Sequence, residues 1–188
     1  MYIKTKKITL DNQEVNAELQ YFEETDKQKI KEIYQGVIEL NLKTQKLGGR
    51  KINIPEIVSE GLFCLKKNSA RFLKCTGKIS SSFDCLNLDN YLKIQLKACS
   101  VESDLTSFGP KSKWDELYLM HFFPNQKYDG SYKVYKIPND LIYSQKVNKT
   151  ETFRDQQKQG KRPRFSLMND IIIPENIEPD FEGNILDY

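Results

Sequence analysis

From Thr25 to about Lys46 the apolar residues Ile30, Ile33, Tyr34, Val37, Ile38 and Leu42 recur at helical spacing. Thr25 or Asp26 supplies an N-cap, and Gly48-Gly49 ends the pattern. This predicts an amphipathic helix with a structural role. A second helix starts at Asn53-Ile54-Pro55-Glu56, where proline suits an early position. Ile57, Val58, Gly61, Leu62 and Leu65 continue it to about Lys67. Glu56 and Glu60 stand four apart, so both project from one side of it.

The period then shortens to two. Phe72-Leu73-Lys74-Cys75 and Phe83-Asp84-Cys85-Leu86 are predicted strands, and Tyr91 to Ala98 is a third. The turn-rich Asn87-Leu88-Asp89-Asn90 joins the last two as an antiparallel hairpin. In the third strand Leu92, Ile94, Leu96 and Ala98 face one way, while Lys93, Gln95 and Lys97 face the other. Ser103 to Lys113 is a polar loop. Trp114 to Phe123 is an aromatic core strand, in which both Trp114 and His121 are expected to be packed. A turn at Asp129-Gly130 leads to a strand over Ser131 to Ile137. From Asn148 the chain is polar and basic through Arg164, then ends in Ile171-Ile172-Ile173 and an acidic coil. Helices and strands in this order predict an α/β fold, a mixed central sheet flanked by helices.

The 188 residues fit one domain over 1–188. With 38% hydrophobic and 29% charged residues the chain is globular rather than disordered. No run approaches the roughly 18 apolar residues of a membrane span. The opening MYIKTKKITL lacks the apolar core and cleavage site of a signal peptide, so a cytoplasmic location is expected. Cys64, Cys75, Cys85 and Cys99 stand 10 or more residues apart, and His121 is the sole histidine. That spacing argues against zinc and for four buried thiols. A net charge of +3 does not announce a nucleic-acid binder, so the distribution of charge matters more.

Chemistry concentrates on the hairpin. Asp84 lies on one strand and Gln95 and Lys97 on the next, with ten residues between Asp84 and Gln95 to return the chain. Asp84 and Gln95 offer hard oxygens suited to Mg²⁺, and Lys97 can set its ammonium against a phosphate or an attacking water. Such a site serves phosphodiester hydrolysis. On an ordinary hairpin the same three residues would simply be the solvent face. Two basic clusters accompany them. Lys111 and Lys113 flank a Gly-Pro loop, and Lys158, Lys161, Arg162 and Arg164 lie beside Gln156, Gln157 and Gln159. Arginine suits guanine and glutamine suits adenine in the major groove. The candidate DNA contacts are therefore Lys111, Lys113, Gln156, Lys161, Arg162 and Arg164, most of them in the segment 148–170.

The stretch from Ser82-Phe83-Asp84-Cys85 through Ile94-Gln95-Leu96-Lys97-Ala98 resembles the core of the PD-(D/E)XK nucleases, in a Gln-x-Lys form found in a minority of type II restriction endonucleases. The segments Asp104 to Asp115 and Gln156 to Phe165 are similar to small restriction enzymes, closest to the group that cuts GCNGC. The resemblance covers roughly residues 55–170. It implies that Asp84 and the Gln95 side-chain oxygen bind Mg²⁺, with the Leu96 carbonyl as a third ligand, and that Lys97 orients or activates the attacking water. It also implies a glutamate from the preceding helix, where Glu60 fits and Glu56 competes. An amide in place of a carboxylate lowers the negative charge of the site, so Mg²⁺ should bind more weakly there.

The expected activity is therefore site-specific cleavage of double-stranded DNA, leaving 5′-phosphate and 3′-hydroxyl ends. A palindromic site favours a two-fold homodimer, with a monomeric cutter as the alternative. A cognate DNA methyltransferase would be the functional partner. Three other readings stand beside it: a structure-selective or repair nuclease with the same metal core, a DNA-binding module without a competent site, and a protein whose charges are mere surface.

Overall fold

The structure, a computed structural model, describes residues 1–77 and 82–188. In chain order the strands are β1 (Tyr2–Leu10), β2 (Gln13–Tyr21), β3 (Ser69–Cys75), β4 (Cys85–Asn87), β5 (Lys93–Cys99), β6 (Thr106–Ser107), β7 (Glu116–His121), β8 (Ser131–Ile137), β9 (Arg164–Phe165) and β10 (Phe181–Asn184). The helices are α1 (Lys27–Lys46), α2 (Glu56–Lys66), α3 (Asn139–Ser144) and α4 (Phe153–Lys158).

Eight strands form one sheet in the order β1-β2-β3-β4-β5-β7-β8-β10. All neighbours are antiparallel except β5 and β7, which run parallel with Gln95 opposite Leu117 and Lys97 opposite Leu119. A parallel pair needs a long crossover. Here residues 100–115 supply it, and β6 within them pairs with β9 as a separate two-stranded ribbon. The mixed, helix-flanked sheet is the expected fold class.

Side chains alternate across the central strands into two cores. Tyr118 and Met120 of β7 join Ile94 and Leu96 of β5 under α1 and α2. Leu117 and Leu119 join Trp114, Ile142, Phe153 and Phe165 on the other face. Strands covered on both faces read as nearly continuous burial, and this counts against the alternative of a plain solvent face on β5: Lys93 and Gln95 are buried, and Lys97 is half-buried. Lys93 is held there by an ion pair with Asp11. A third core lies under β1 to β4, around Val15, Leu19, Phe72, Phe83 and Leu86.

Both predicted helices form. The first α-helical turn begins at Lys27, after a short 3₁₀ turn over Glu24–Asp26. Ile30, Tyr34 and Ile38 are buried, whereas Ile33 and Leu42, assigned to the same stripe from spacing, are exposed. Helix α2 buries every residue from Val58 to Cys64. Gly61 is what lets α1 lie so close: a Cβ there would sit 2.8 Å from Ile30 Cδ1 and 3.0 Å from Phe22. Buried Asn41 fixes the connection between the helices, giving its amide to the Ile52 carbonyl at 2.8 Å and accepting the Ile52 N–H at 2.6 Å.

Several elements were not anticipated. The N-terminal residues form the β1–β2 hairpin, turned by Asp11 and Asn12 in left-handed conformation at φ 48° and 62°. The segment read as an acidic coil contains β10, paired with β8 from Phe181–Val134 to Asn184–Ser131. Short α3 and α4 lie in stretches to which the sequence pattern assigns no element. Trp114 and His121 are buried as expected. Of the four thiols, Cys64, Cys85 and Cys99 are buried and Cys75 is only partly so.

Candidate active site

The site is built where β4, β5 and α2 meet. Asp84 immediately precedes β4, and its backbone is clamped from both sides: its N–H donates to the Ile94 carbonyl at 2.9 Å, and its carbonyl accepts the Phe72 N–H at 2.9 Å. The Asp84 carboxylate points at β5. Its Oδ2 accepts the Leu96 N–H at 2.8 Å and a further hydrogen bond from the Gln95 amide. The hairpin thus converges Asp84 and Gln95 as predicted. Lys97 completes the group, its positive charge favouring the ionised form of Asp84. The Lys97 ammonium stands 5.6 Å from the Phe108 ring centroid.

Glu60 approaches from α2. It is 7% exposed, and burial first, then repulsion from Asp84, pushes its carboxyl up to about 7 from an ordinary 4.5. Burial also raises the Asp84 carboxyl, against the pull of Lys97. Glu56, one turn earlier, is exposed. Two acids so placed resist holding two negative charges.

Arg71 relieves that repulsion, and sequence reasoning missed it. It lies on β3, with its Nε donating to Glu60 and its Nη2 to Glu56 Oε1 at 2.6 Å. Its Nη1 reaches Gln20 Oε1 at 3.4 Å. The available signal was a lone basic residue within the otherwise small or apolar Ser69-Ala70-Arg71-Phe72-Leu73.

The donors that Asp84, Glu60 and the Leu96 carbonyl offer are all oxygen. Among the described residues no group of three or more His, Cys, Asp or Glu is placed to hold a metal. What the chain offers is sparser: two repelling carboxylates, a buried amide and the adjoining backbone carbonyl. This fits Mg²⁺, which takes one or two carboxylates and keeps several waters. As oriented, the Gln95 Nε2 faces Asp84. A half-turn of the amide exchanges its ends and sets Oε1 beside the carboxylate.

The basic candidates divide. Lys111, Lys113, Arg162 and Arg164 are exposed. The Lys113 N–H donates to Ser82 Oγ at 3.0 Å, which brings its loop against the approach to Asp84. Gln157 steadies that loop through the carbonyls of Gly109 at 3.1 Å and Ser112 at 3.4 Å. Gln156 and Lys161 are used within the molecule. Gln156 is buried and donates to Glu151 Oε2 at 3.1 Å, and Lys161 pairs with Glu151 Oε1 at 2.6 Å. Arg164 on β9 faces Ser107 on β6. This brings part of the C-terminal cluster to the same cavity as Lys97.

Comparison with known proteins bears on the same stretch of chain. Residues 22–174 match the family described as Bsp6I restriction endonuclease. The type II restriction enzyme Bsp6I of Bacillus sp. (strain RFL6) is 35% identical over 142 residues, covering 75% of this chain and 78% of that enzyme. No solved structure matches significantly. The nuclease resemblance read from the hairpin therefore holds at the level of the family, and the chain belongs to the Bsp6I restriction endonuclease family.

Proposed function

We propose that this chain is a Mg²⁺-dependent type II restriction endonuclease that hydrolyses double-stranded DNA to 5′-phosphate and 3′-hydroxyl ends, with Asp84, Gln95, Lys97 and Glu60 at its reaction centre. The observation that carries the reading is the convergence of Asp84, Gln95 and Lys97 beside buried Glu60. Asp84, the turned Gln95 amide, the Leu96 carbonyl and Glu60 would hold the metal. When bound, Mg²⁺ supplies a Lewis acid that lowers the pKa of water and neutralises charge developing on the phosphate.

The remaining work falls to the protein. Asp84 is locked in place by two hydrogen bonds from β5, so its free edge faces the incoming phosphate at no cost of reorganisation. Lys97 sets a half-buried ammonium beside it, poised to orient the attacking water and to stabilise the extra negative charge of the transition state. Glu60 is the helix carboxylate of the site rather than Glu56, because it is buried against Asp84 while Glu56 is exposed. Lys111, Lys113, Arg162 and Arg164 grip the duplex. A GCNGC-type target, a homodimer on a two-fold site, a cytoplasmic location and a partner methyltransferase complete the proposal.

Plasmid DNA incubated with the protein and Mg²⁺ should yield discrete fragments. Lys97→Ala should lower the single-turnover rate by about 10²-fold or more while leaving DNA affinity nearly intact, because Lys97 acts mainly in the transition state. Asp84→Ala should abolish cleavage. If Lys97→Ala cuts at close to the wild-type rate, the chemistry happens elsewhere. Smeared or junction-only products would instead indicate a repair nuclease, and binding without cleavage a DNA-binding module.

A further inference from the structure

Beside the reaction centre lies a cavity of about 290 Å³ lined by Asn53, Lys97, Asp104, Thr106, Ser107 and Arg164. Its walls come from three distant parts of the chain: the turn before α2, the end of β5 with its crossover loop, and the β6–β9 ribbon. Two of the lining residues are cations, and among the described residues neither Lys97 nor Arg164 forms an ion pair or donates a side-chain hydrogen bond. Half-buried Lys97 thus differs from Lys93, Arg71 and Lys67, which pair with Asp11, with Glu56 and Glu60, and with Asp180. Among the described residues Asp104 is the one carboxylate in the wall, and it is turned to the backbone, its Oδ2 accepting the N–H groups of Ser100 at 2.7 Å and Val101 at 3.1 Å. The amide of Asn53 and the hydroxyls of Thr106 and Ser107 add neutral donors. Arg164 without an ion-pair partner, Lys97 shared with the Asp84 carboxylate and three neutral donors outweigh the one carboxylate in the wall, and together make an anion seat.

We infer that this cavity seats one backbone phosphate of the strand being cut, held by Arg164 and shared with Lys97, so that Arg164 fixes the position of the DNA rather than reading a base. The inference rests on the nuclease reading of the Asp84 site for its ligand, and it adds a second contact point on the same strand. A guanidinium presents a planar fork that matches two phosphate oxygens, whereas Lys97 acts as a point charge. The β6–β9 pairing makes the arrangement rigid. Ser107 is opposite Arg164, and next to them Thr106 is opposite Phe165, whose ring is anchored in the core against Phe108 and Phe153. Arg164 is therefore carried on a short ribbon with a buried root, a better support for a fixed phosphate contact than a free loop. The neighbouring Arg162 lies outside the ribbon and has no part in the cavity.

Arg164→Ala separates a phosphate contact from a base contact. The side chain is exposed, so the variant should melt within a degree or two of wild type. Binding to a duplex fragment is measured without divalent metal across a salt series. Loss of one phosphate contact should lower the slope of log affinity against log salt by about 1. With Mg²⁺ the variant should give the same plasmid fragments as wild type, at a single-turnover rate reduced about tenfold or more. An unchanged salt slope overturns the inference, as does a new set of cut sites, which would make Arg164 a base reader. Should wild-type protein fail to cut plasmid at all, the nuclease reading falls, while the slope comparison still decides whether the cavity holds a phosphate.

Discussion

Glu60 and His121 are both buried titratable groups, and their electrostatics run in opposite directions. Glu60 has its carboxyl raised from 4.5 to about 7, chiefly by burial. His121 has its imidazole lowered from 6.5 to about 4, again chiefly by burial, and among the described residues its Nε2 has no hydrogen-bond partner. A carboxyl with a raised folded pKa contributes stability that is present below 4.5 and lost as pH climbs to about 7. An imidazole with a lowered folded pKa contributes stability that is present above 6.5 and lost as pH falls to about 4. Between pH 4.5 and 6.5 the two slopes oppose each other, and Asp84, whose carboxyl burial also raises, adds to the slope of Glu60. Glu60→Gln removes one of them. In urea titrations the variant should gain stability relative to wild type with rising pH, by up to about 3 kcal/mol across the Glu60 window. Parallel profiles for the two proteins would mean that Glu60 does not titrate in this range. The identity of Glu60 as the helix acid was legible from its spacing to Glu56 only as a choice between the two. Their difference is one of burial, set by how α2 packs against β3 and β5, where Glu60 meets Arg71 and Asp84, and spacing within one helix carries no record of that.

The elements of the site were legible in proportion to how local their causes are. The β4–β5 hairpin announced itself because its turn residues and its alternation lie within fifteen positions, Phe83 to Lys97. The same alternation was silent about exposure. A period of two says which residues share a face but not whether that face meets water, and here both faces of β5 are largely covered. Arg71 was invisible for a related reason. Its meaning depends on β3 lying beside α2, and no spacing rule links residue 71 to residues 56 and 60. The pairing makes a prediction about these two elements together. Arg71→Ala leaves the Glu60 carboxylate buried without its partner, and should cost about 3 kcal/mol in unfolding free energy at pH 8. Glu60→Gln introduced into that variant removes the stranded charge and should recover part of the loss. A double-mutant cycle should then give a coupling of about 1 kcal/mol or more. Additive losses would show that Arg71 and Glu60 do not act as a pair.

At the scale of the whole molecule, the sheet has a family part and two margins. Residues 22–174, which match the restriction endonuclease family, contain β3 through β9 and every candidate site residue. Strands β1 and β2 at one edge and β10 at the other lie outside that range. The first margin carried a readable signal, Ile8 and Leu10 alternating toward an Asp11-Asn12 turn. The second carried none. Phe181-Glu182-Gly183-Asn184 has little strand propensity, and becomes a strand because β8 presents an open edge to it. What holds this margin down is its sequel. Ile185 is fully buried in the core under α1 and α2, the Tyr188 hydroxyl meets the Tyr132 hydroxyl at 2.9 Å, and the Lys31 ammonium donates to the carbonyls of Leu186 at 2.6 Å and Tyr188 at 2.9 Å. If this edge serves stability alone, Ile185→Ala should cost about 2–5 kcal/mol through the cavity it leaves. Below the melting transition, the single-turnover cleavage rate should stay within about twofold of wild type, since none of the hydrogen bonds around Asp84 passes through β10. The measurement is urea unfolding beside cleavage of the same preparation. A rate that falls while the protein remains fully folded would show that this margin, far from Lys97 in the strand order, still sets the geometry of the reaction centre.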